Sequence, residues 1–234
     1  RKNQLHEVIR LSGMNIIISD VDRPLIIKVA SISATRIQVY FIDNEDYFRR
    51  KQIYCDADGK FLEDNDERAI FFARGVLETV KKLRWSPDLV HCHGWITSLV
   101  PLYLKNGFKE DPLFRDSKVV YSVYDDAYPG SFPSTFAKKL KVDGVNDKDL
   151  DVVRENPNFE NLSKLAINMS DAVIKGHPQI NAEVEEYAKG CGKPFLDYHS
   201  TDTYIDAYSD FYDKILSQAS ATAEKKTVKK KISI

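Results

Sequence analysis

The strongest constraint on the fold is an alternation of short apolar segments with segments of helical periodicity, which begins at Asp64. Apolar residues recur at helical spacing after Asp64 and predict a long helix that Asp64 caps, with Glu67 reaching back toward it. Later segments predict strands at 89–92, 119–124, 172–175 and 195–198, and helices at 95–105, 161–169, 179–189 and 203–217. This alternation predicts βαβ units, and therefore an α/β fold whose mostly parallel sheet carries helices on both faces.

Three further strands are predicted ahead of this alternation, at 15–19, 25–30 and 36–42. They are short and rich in β-branched residues, and Pro24 with the polar residues before it marks the turn that precedes the second strand. At the other end, the predicted helix at 203–217 has an aromatic face. Its spacing favours packing on the core over a platform for sugar rings. The residues of that face are Tyr204, Ala207, Tyr208, Phe211, Tyr212 and Ile215.

Length and charge predict one domain followed by a basic tail. The chain has 234 residues, of which 43% are hydrophobic, and this is enough for a single core within 1–217. Residues 218–234 contain five lysines and no regular period, which predicts a solvated, flexible tail. The formal net charge is −1, so the composition argues against nucleic acid as a partner.

Cysteine usage and hydropathy bear on location. The three cysteines, Cys55, Cys92 and Cys191, are widely spaced, as is typical of reduced thiols in a cytoplasmic protein. No apolar run approaches the ~20 residues that a membrane-spanning helix needs. We therefore expect a cytoplasmic protein that has no membrane partner.

The segment from Asp88 to Trp95 is the strongest candidate for a functional site. It runs D-L-V-H-C-H-G-W, so a predicted buried strand ends in two histidines and a glycine. Ligands of open α/β sheets bind outside the carboxyl ends of the strands. His91 and His93 are two residues apart, so they point to one face of the strand, unless the second has already turned into the loop.

This pair of histidines has three interpretations. A zinc site would need two or more further ligands, and Cys92 points to the opposite face. A nucleophilic Cys–His pair would need an exposed, activated thiol, whereas Cys92 lies inside an apolar strand. In the third interpretation, both histidines are packing groups near the end of the strand.

Several motifs, in order along the chain, resemble the glycogen and starch synthases of glycosyltransferase family five. The residues H-C-H-G-W at 91–95 are similar to the family's H-x-H-D-W. Upstream, F-I-D-N and Y-F-R-R within 41–50 and D-N-D-E-R at 64–68 resemble family motifs. Downstream, A-Y-P-G-S-F at 127–132, N-L-S-K at 161–164 and S-D-A-V at 170–173 follow the same pattern. The resemblance extends from about residue 38 to residue 183.

This resemblance implies a Rossmann-like domain similar to the N-terminal half of a GT-B glycosyltransferase. It implies retaining transfer of glucose from ADP-glucose to the non-reducing end of an α-1,4-glucan, with no metal or other cofactor. His93 matches the family histidine that contacts the transferred sugar, and it is therefore the candidate catalytic residue. The positions that match the family's substrate side are Asp64, Trp95, Tyr128 and Gly130.

The chain departs from the family pattern near the expected crevice. The family's aspartate after the second histidine is Gly94 here, and a polar residue is replaced by Ile96. A family His-Asn pair is replaced by Tyr124-Asp125, and Thr-Val-Ser by Lys175-Gly176-His177. These substitutions predict an altered substrate or a relaxed catalytic demand.

Two elements of the family find no counterpart in the sequence, namely the opening βα unit with its lysine-glycine-glycine loop and the donor-binding second domain. Little transferase activity is therefore expected of this chain alone, unless a second polypeptide or an oligomer covers the open interdomain face. The competing hypothesis is a non-catalytic module that binds glucan or docks on a partner.

Overall fold

The computed structural model describes residues 5–232, with side chains described for residues 5–218, and contains two β-sheets. The strands are β1 (Val8–Ile18), β2 (Val21–Ser31), β3 (Gln38–Asp43), β4 (Leu89–His93), β5 (Lys118–Val123), β6 (Ala172–Lys175) and β7 (Phe195–Leu196). The α-helices are α1 (Glu45–Phe48), α2 (Asn65–Lys82), α3 (Leu99–Leu102), α4 (Phe136–Lys139), α5 (Asp151–Arg154), α6 (Phe159–Met169), α7 (Ala182–Gly190) and α8 (Tyr204–Ile232). The remaining helical turns are Trp95–Thr97, Tyr103–Gly107 and Asp147–Leu150.

The first three strands form a separate antiparallel sheet in the order β1-β2-β3. The connection from β1 to β2 consists of Ser19 and Asp20, whose φ angles are 50° and 63°. A two-residue turn of this kind matches the twist of a hairpin, whereas a parallel pair would need a crossover of about a dozen residues. The early strands therefore pair with each other, and β1 begins seven residues earlier than the sequence predicts, at Val8.

The strands β4, β5, β6 and β7 form a parallel sheet in that order, which confirms the α/β fold predicted from the alternation. Each strand begins within one residue of its predicted start. Because the carboxyl ends of parallel strands meet at one edge, the segments that follow β4, β5 and β6 are brought together.

Helices cover both faces of this parallel sheet. On one face, Tyr121 belongs to the main hydrophobic core, to which α2, α3 and α6 also contribute. On the other face, Val120 and Ile174 pack against Phe211 and Ile215 of α8. The prediction that the aromatic face of the last helix packs on the core is confirmed at these two positions.

The helix α8 is longer than the sequence predicts. It continues beyond residue 217 to Ile232, so the described part of the predicted tail is helical. The periodicity of the sequence gave no sign of this extension. Even so, no helix within the described residues combines the length and apolar character needed to cross a membrane.

A largely buried ionic network ties the antiparallel sheet to α2 and α4. The ammonium of Lys139 lies 2.7 Å from Oδ2 of Asp66 and 2.9 Å from Oε1 of Glu67. The other oxygen of Glu67 accepts hydrogen bonds from the Tyr47 hydroxyl at 2.7 Å and from Arg23 at 3.1 Å. Burial raises the pKa of Asp66; at Glu67 the effect of burial is outweighed by hydrogen bonds from Tyr47 and Lys139, which lower its pKa.

The predicted reciprocal cap at the start of α2 is wrong. Asp64 occupies the capping position, but its side chain makes no capping hydrogen bond. Its carboxylate is instead held by two hydrogen bonds from Arg50, at 2.6 and 3.0 Å. Glu67 is drawn into the ionic network, so neither side chain is available for the cap.

Candidate functional site

The carboxyl ends of β4, β5 and β6 form a crevice edge around Gly94, Tyr124 and Gly176. The amide of Gly94 donates to the carbonyl of Ser122 at 3.1 Å, and the amide of Gly176 donates to the carbonyl of Val123 at 2.8 Å. The parallel register is therefore kept to the last residue of each strand. This edge is where the sequence places its candidate site.

His91 and His93 point to the same face of β4, as predicted, and their ring centroids are 3.8 Å apart. Both nitrogens of His91 are hydrogen-bonded, Nε2 with Ser122 Oγ and Nδ1 with the Tyr212 hydroxyl of α8, each at 2.6 Å. Burial and, to a smaller extent, the neighbouring His93 lower the pKa of His91 to about 3. His91 is therefore a neutral, fully satisfied packing group that anchors α8 to the sheet.

His93 is the exposed member of the pair. Its Nδ1 is hydrogen-bonded with the Tyr124 hydroxyl at 2.8 Å, and no described residue pairs with its Nε2. Desolvation by the surrounding protein atoms lowers the pKa of His93, so the neutral imidazole is favoured. The ring is thus fixed at one nitrogen and free at the other to bind a ligand.

Two glycines make room for the side chains that surround His93. A Cβ on Gly176 would lie 2.6 Å from Cζ of Tyr124, and a Cβ on Gly94 would overlap Oδ2 of Asp126. Gly94 also has a φ of 71°, which disfavours other residues. The departures from the family pattern at Gly94, Tyr124 and Gly176 are therefore spatial neighbours that fit one another.

Asp126 is a member of the site that the sequence analysis missed. Its Oδ2 accepts a hydrogen bond from the backbone amide of Trp95 at 3.0 Å. Its Oδ1 is buried and has no hydrogen-bond partner among the described residues. Burial raises the pKa of Asp126. The only sign of this role in the sequence is that Asp126 follows another acidic residue, Asp125, and directly precedes the motif that begins at Ala127.

Trp95 lies behind the crevice. Its side chain is 1% exposed. Its ring packs against Tyr54 with centroids 4.7 Å apart and against Tyr128 at 5.2 Å. The ring is enclosed by other aromatic residues and supports the turn after Gly94 from behind.

Tyr128 is likewise buried, with 7% of its surface exposed. It stacks on Phe132 with centroids 4.8 Å apart, and its hydroxyl donates to the carbonyl of Pro157 at 3.2 Å. Gly130 is exposed, with a φ of 73°. Tyr128 and Gly130 do not contact His93, and neither does Asp64, which is paired with Arg50. Among the predicted substrate residues, only Trp95 and Tyr128 contact each other.

The sequence also raises a nucleophilic thiol and a metal site. Cys92 is buried, and burial raises the pKa of its thiol to about 12, so it is not an activated nucleophile. Among the residues that the structure describes, no three His, Cys, Asp or Glu side chains converge as ligands of a metal would.

Known proteins similar to this chain are glycogen synthases and starch synthases. The sequence profile of the starch synthase catalytic domain matches residues 1–194. A glycogen synthase of Chlorobium limicola is 39% identical over 147 residues, which cover 62% of this chain and 30% of that protein. A glycogen synthase of Chlorobaculum tepidum is 33% identical over 202 residues, which cover 83% of this chain and 41% of that protein.

A solved structure shares the fold. The catalytic domain of starch synthase IV from Arabidopsis thaliana, bound to ADP and acarbose, superposes with a TM-score of 0.67 and 18% sequence identity. The alignment covers 87% of this chain and 43% of that one. This chain therefore spans less than half the length of each of these three relatives.

Proposed function

Because this chain belongs to the starch synthase catalytic domain family, we propose that it acts in α-1,4-glucan synthesis. The proposed reaction is transfer of glucose from ADP-glucose to the non-reducing end of a glucan with retention of configuration. It requires no metal or further cofactor. The proposed partners are the glucan acceptor and a second polypeptide or oligomer contact that covers the face beside the crevice. The free thiols of Cys55, Cys92 and Cys191 support a cytoplasmic setting.

The observation that carries this proposal is the state of His93. It lies at the carboxyl end of β4, is exposed, is biased toward its neutral form and has only one ring nitrogen engaged. A neutral imidazole can form a hydrogen bond with a sugar hydroxyl without adding charge to the site. We therefore assign His93 the role of the residue that contacts the transferred glucose, which becomes the non-reducing end of the glucan product.

The surrounding residues fix His93 before the substrate arrives. In glycosyl transfer, positive charge develops on the sugar ring and negative charge on the leaving diphosphate. Catalysis gains most from dipoles that are already oriented toward that charge. Tyr124 holds Nδ1 of His93 in place, and Gly176 leaves the space that the Tyr124 ring occupies. The imidazole therefore meets a sugar hydroxyl in one orientation.

A second candidate function is a glucan-binding module without transferase activity. It is favoured by the exchange of the family's aspartate for Gly94, of its histidine for Tyr124 and of its valine for Gly176, which turns the crevice into a site shaped by two glycines and a tyrosine. Such a site would still present the exposed His93 to a glucan. The two candidates differ in whether glucose is transferred.

The test is glucose transfer from radiolabelled ADP-glucose to glycogen by the complete natural protein and by its His93→Ala variant. The proposal expects transfer by the wild type and a loss of about 100-fold or more in the variant, with the fold intact by circular dichroism. Absence of transfer by the wild type, together with retardation in a glycogen-containing native gel, would refute the synthase and support the binding module. Equal transfer by both proteins would refute the role of His93.

A further inference from the structure

The turn that follows β4 lacks a cap of its own. The capping position before the helical turn Trp95–Thr97 is held by Gly94, which has no side chain to accept a hydrogen bond. An uncapped amide at such a turn needs a partner from elsewhere. Here Oδ2 of Asp126 accepts the Trp95 amide at 3.0 Å, from a position 31 residues along the chain.

The carboxylate of Asp126 also fills the space above Gly94. A Cβ at position 94 would overlap Oδ2 of Asp126, so a side chain at 94 and the present position of Asp126 are mutually exclusive. The family pattern has an aspartate at this position, and this chain has Gly94. The carboxylate that caps the turn thus reaches it from the end of β5 in this protein.

We propose that Asp126 is a positioning residue for His93, whose carboxylate takes the place of the side chain absent at Gly94 and holds the turn that fixes the histidine. This inference rests on the proposed function, because the orientation of His93 matters to glucan chemistry only if His93 contacts the sugar. Asp126 touches neither the His93 ring nor a reacting atom in this assignment, and it acts through the backbone of the turn.

Two contacts from the end of β5 converge on His93. Tyr124 engages the Nδ1 atom of the ring at 2.8 Å, and Asp126 holds the amide two residues after His93 at 3.0 Å. One contact fixes the side chain and the other fixes the backbone that carries it. A change at Asp126 should therefore reach the His93 ring even though the two side chains are not hydrogen-bonded to each other.

The neighbouring Asp125 supplies a matched comparison. It has the same charge and lies one residue away, but its side chain is exposed, whereas Asp126 is partly buried with one oxygen on the Trp95 amide. Replacing either residue removes one negative charge from the same loop. An effect found only at position 126 cannot come from net charge.

The experiment compares Asp126→Ala, Asp126→Asn and Asp125→Ala in this chain by NMR. Three quantities are measured: hydrogen exchange of the Trp95 amide, the imidazole resonances of His93 and the affinity for maltoheptaose. In Asp126→Ala we expect the Trp95 amide to exchange about tenfold faster, the His93 resonances to shift and the affinity to fall about tenfold. In Asp126→Asn the amide oxygen can still accept, so all three should stay near wild type, as they should in Asp125→Ala.

Equal behaviour of Asp126→Asn and Asp126→Ala, or unchanged Trp95 exchange in a folded Asp126→Ala, would overturn the proposal. If Asp126→Ala does not fold, Asp126→Ser takes its place, because the shorter hydroxyl falls short of the Trp95 amide. Failure of the proposed contact between His93 and the sugar gives a different pattern. Wild type would then bind no maltoheptaose, while Trp95 and His93 still respond to Asp126→Ala, which supports the positioning contact and refutes the role of His93 in the proposed function.

Discussion

Carboxyl groups in two regions of the described structure are wholly or partly buried, and they differ in how completely they are partnered. In the ionic network that joins the antiparallel sheet to α2 and α4, each oxygen of Asp66 and Glu67 accepts at least one hydrogen bond. At the crevice, Asp126 has one oxygen on the Trp95 amide and the other buried without a partner among the described residues. Complete partnering is typical of charges that hold a fold together, and incomplete partnering marks places where function outweighs stability.

The two histidines of β4 repeat this contrast at a separation of two residues. His91 has both ring nitrogens hydrogen-bonded, to Ser122 and Tyr212, and is part-buried. His93 has one nitrogen on Tyr124 and an exposed ring. One motif therefore supplies both a histidine that anchors α8 and a histidine that is a candidate to bind the sugar. Their hydrogen-bond partners distinguish the two.

The largest expected effect lies in the fully partnered region. Lys139→Met leaves the carboxylates of Asp66 and Glu67 without their ammonium partner, and breaking a buried pair in this way costs about 3–5 kcal/mol. Urea unfolding followed by circular dichroism measures the loss. The exposed neighbour provides the control, because Lys138→Met should change the free energy of unfolding by less than about 0.5 kcal/mol. Similar losses in both variants would show that the network is not what ties the antiparallel sheet to α2 and α4.

The second effect separates the two histidines by pH. The folded-state pKa of His91 is about 3, below its ordinary value of 6.5, so protonation favours the unfolded chain. The stabilisation is present above about pH 6.5 and is lost as the pH falls toward 3, and about 3 kcal/mol of it is lost by pH 4.

The variant His91→Gln has no such titration. The difference in the free energy of unfolding between wild type and His91→Gln should therefore shrink by about 3 kcal/mol from pH 7 to pH 4 in urea titrations. Two curves that stay parallel over this range would contradict the assignment of His91 as a buried neutral anchor.

A smaller effect tests the fit of the crevice. Gly176→Ala brings a Cβ to within 2.6 Å of the Tyr124 ring, and overpacking of this kind costs about 1–3 kcal/mol. Thermal unfolding should show the loss, and a smaller one when Tyr124 is also replaced by alanine. Gly190→Ala, where a Cβ meets nothing within 4 Å, is the control and should be neutral or slightly stabilising. Equal costs for Gly176→Ala in both backgrounds would mean that the ring and the glycine are not matched.

The smallest effect on stability is expected where partnering is incomplete. Tyr124→Phe keeps the ring but removes the hydroxyl on Nδ1 of His93, so the free energy of unfolding should change by less than about 1 kcal/mol. Affinity for maltoheptaose, measured by calorimetry, should fall about tenfold, because the imidazole is no longer oriented. Tyr198→Phe, at an exposed tyrosine, should leave the affinity unchanged. Unchanged affinity in Tyr124→Phe would separate Tyr124 from the site.

The sequence predicts the parts of this structure that depend on local pattern. Alternating strands and helices give the parallel sheet, and the ending of an apolar strand in two histidines gives the position of His93. Such a pattern does not predict contacts between segments that are distant in the sequence. Tyr124 and Asp126 each reach residues 31 positions away, and no periodicity reports that distance. The cap expected from Asp64 failed for the same reason, because Arg50 competes for its carboxylate from outside the helix.

An NMR titration of the histidine imidazoles with maltoheptaose shows whether His93 contacts the sugar. We predict that the His93 resonances shift in a saturable way, while those of the part-buried His91 and the exposed His6 stay in place, and that His93→Ala weakens binding at least tenfold. Saturable binding that leaves the His93 resonances unchanged, or equal binding by His93→Ala, would contradict it.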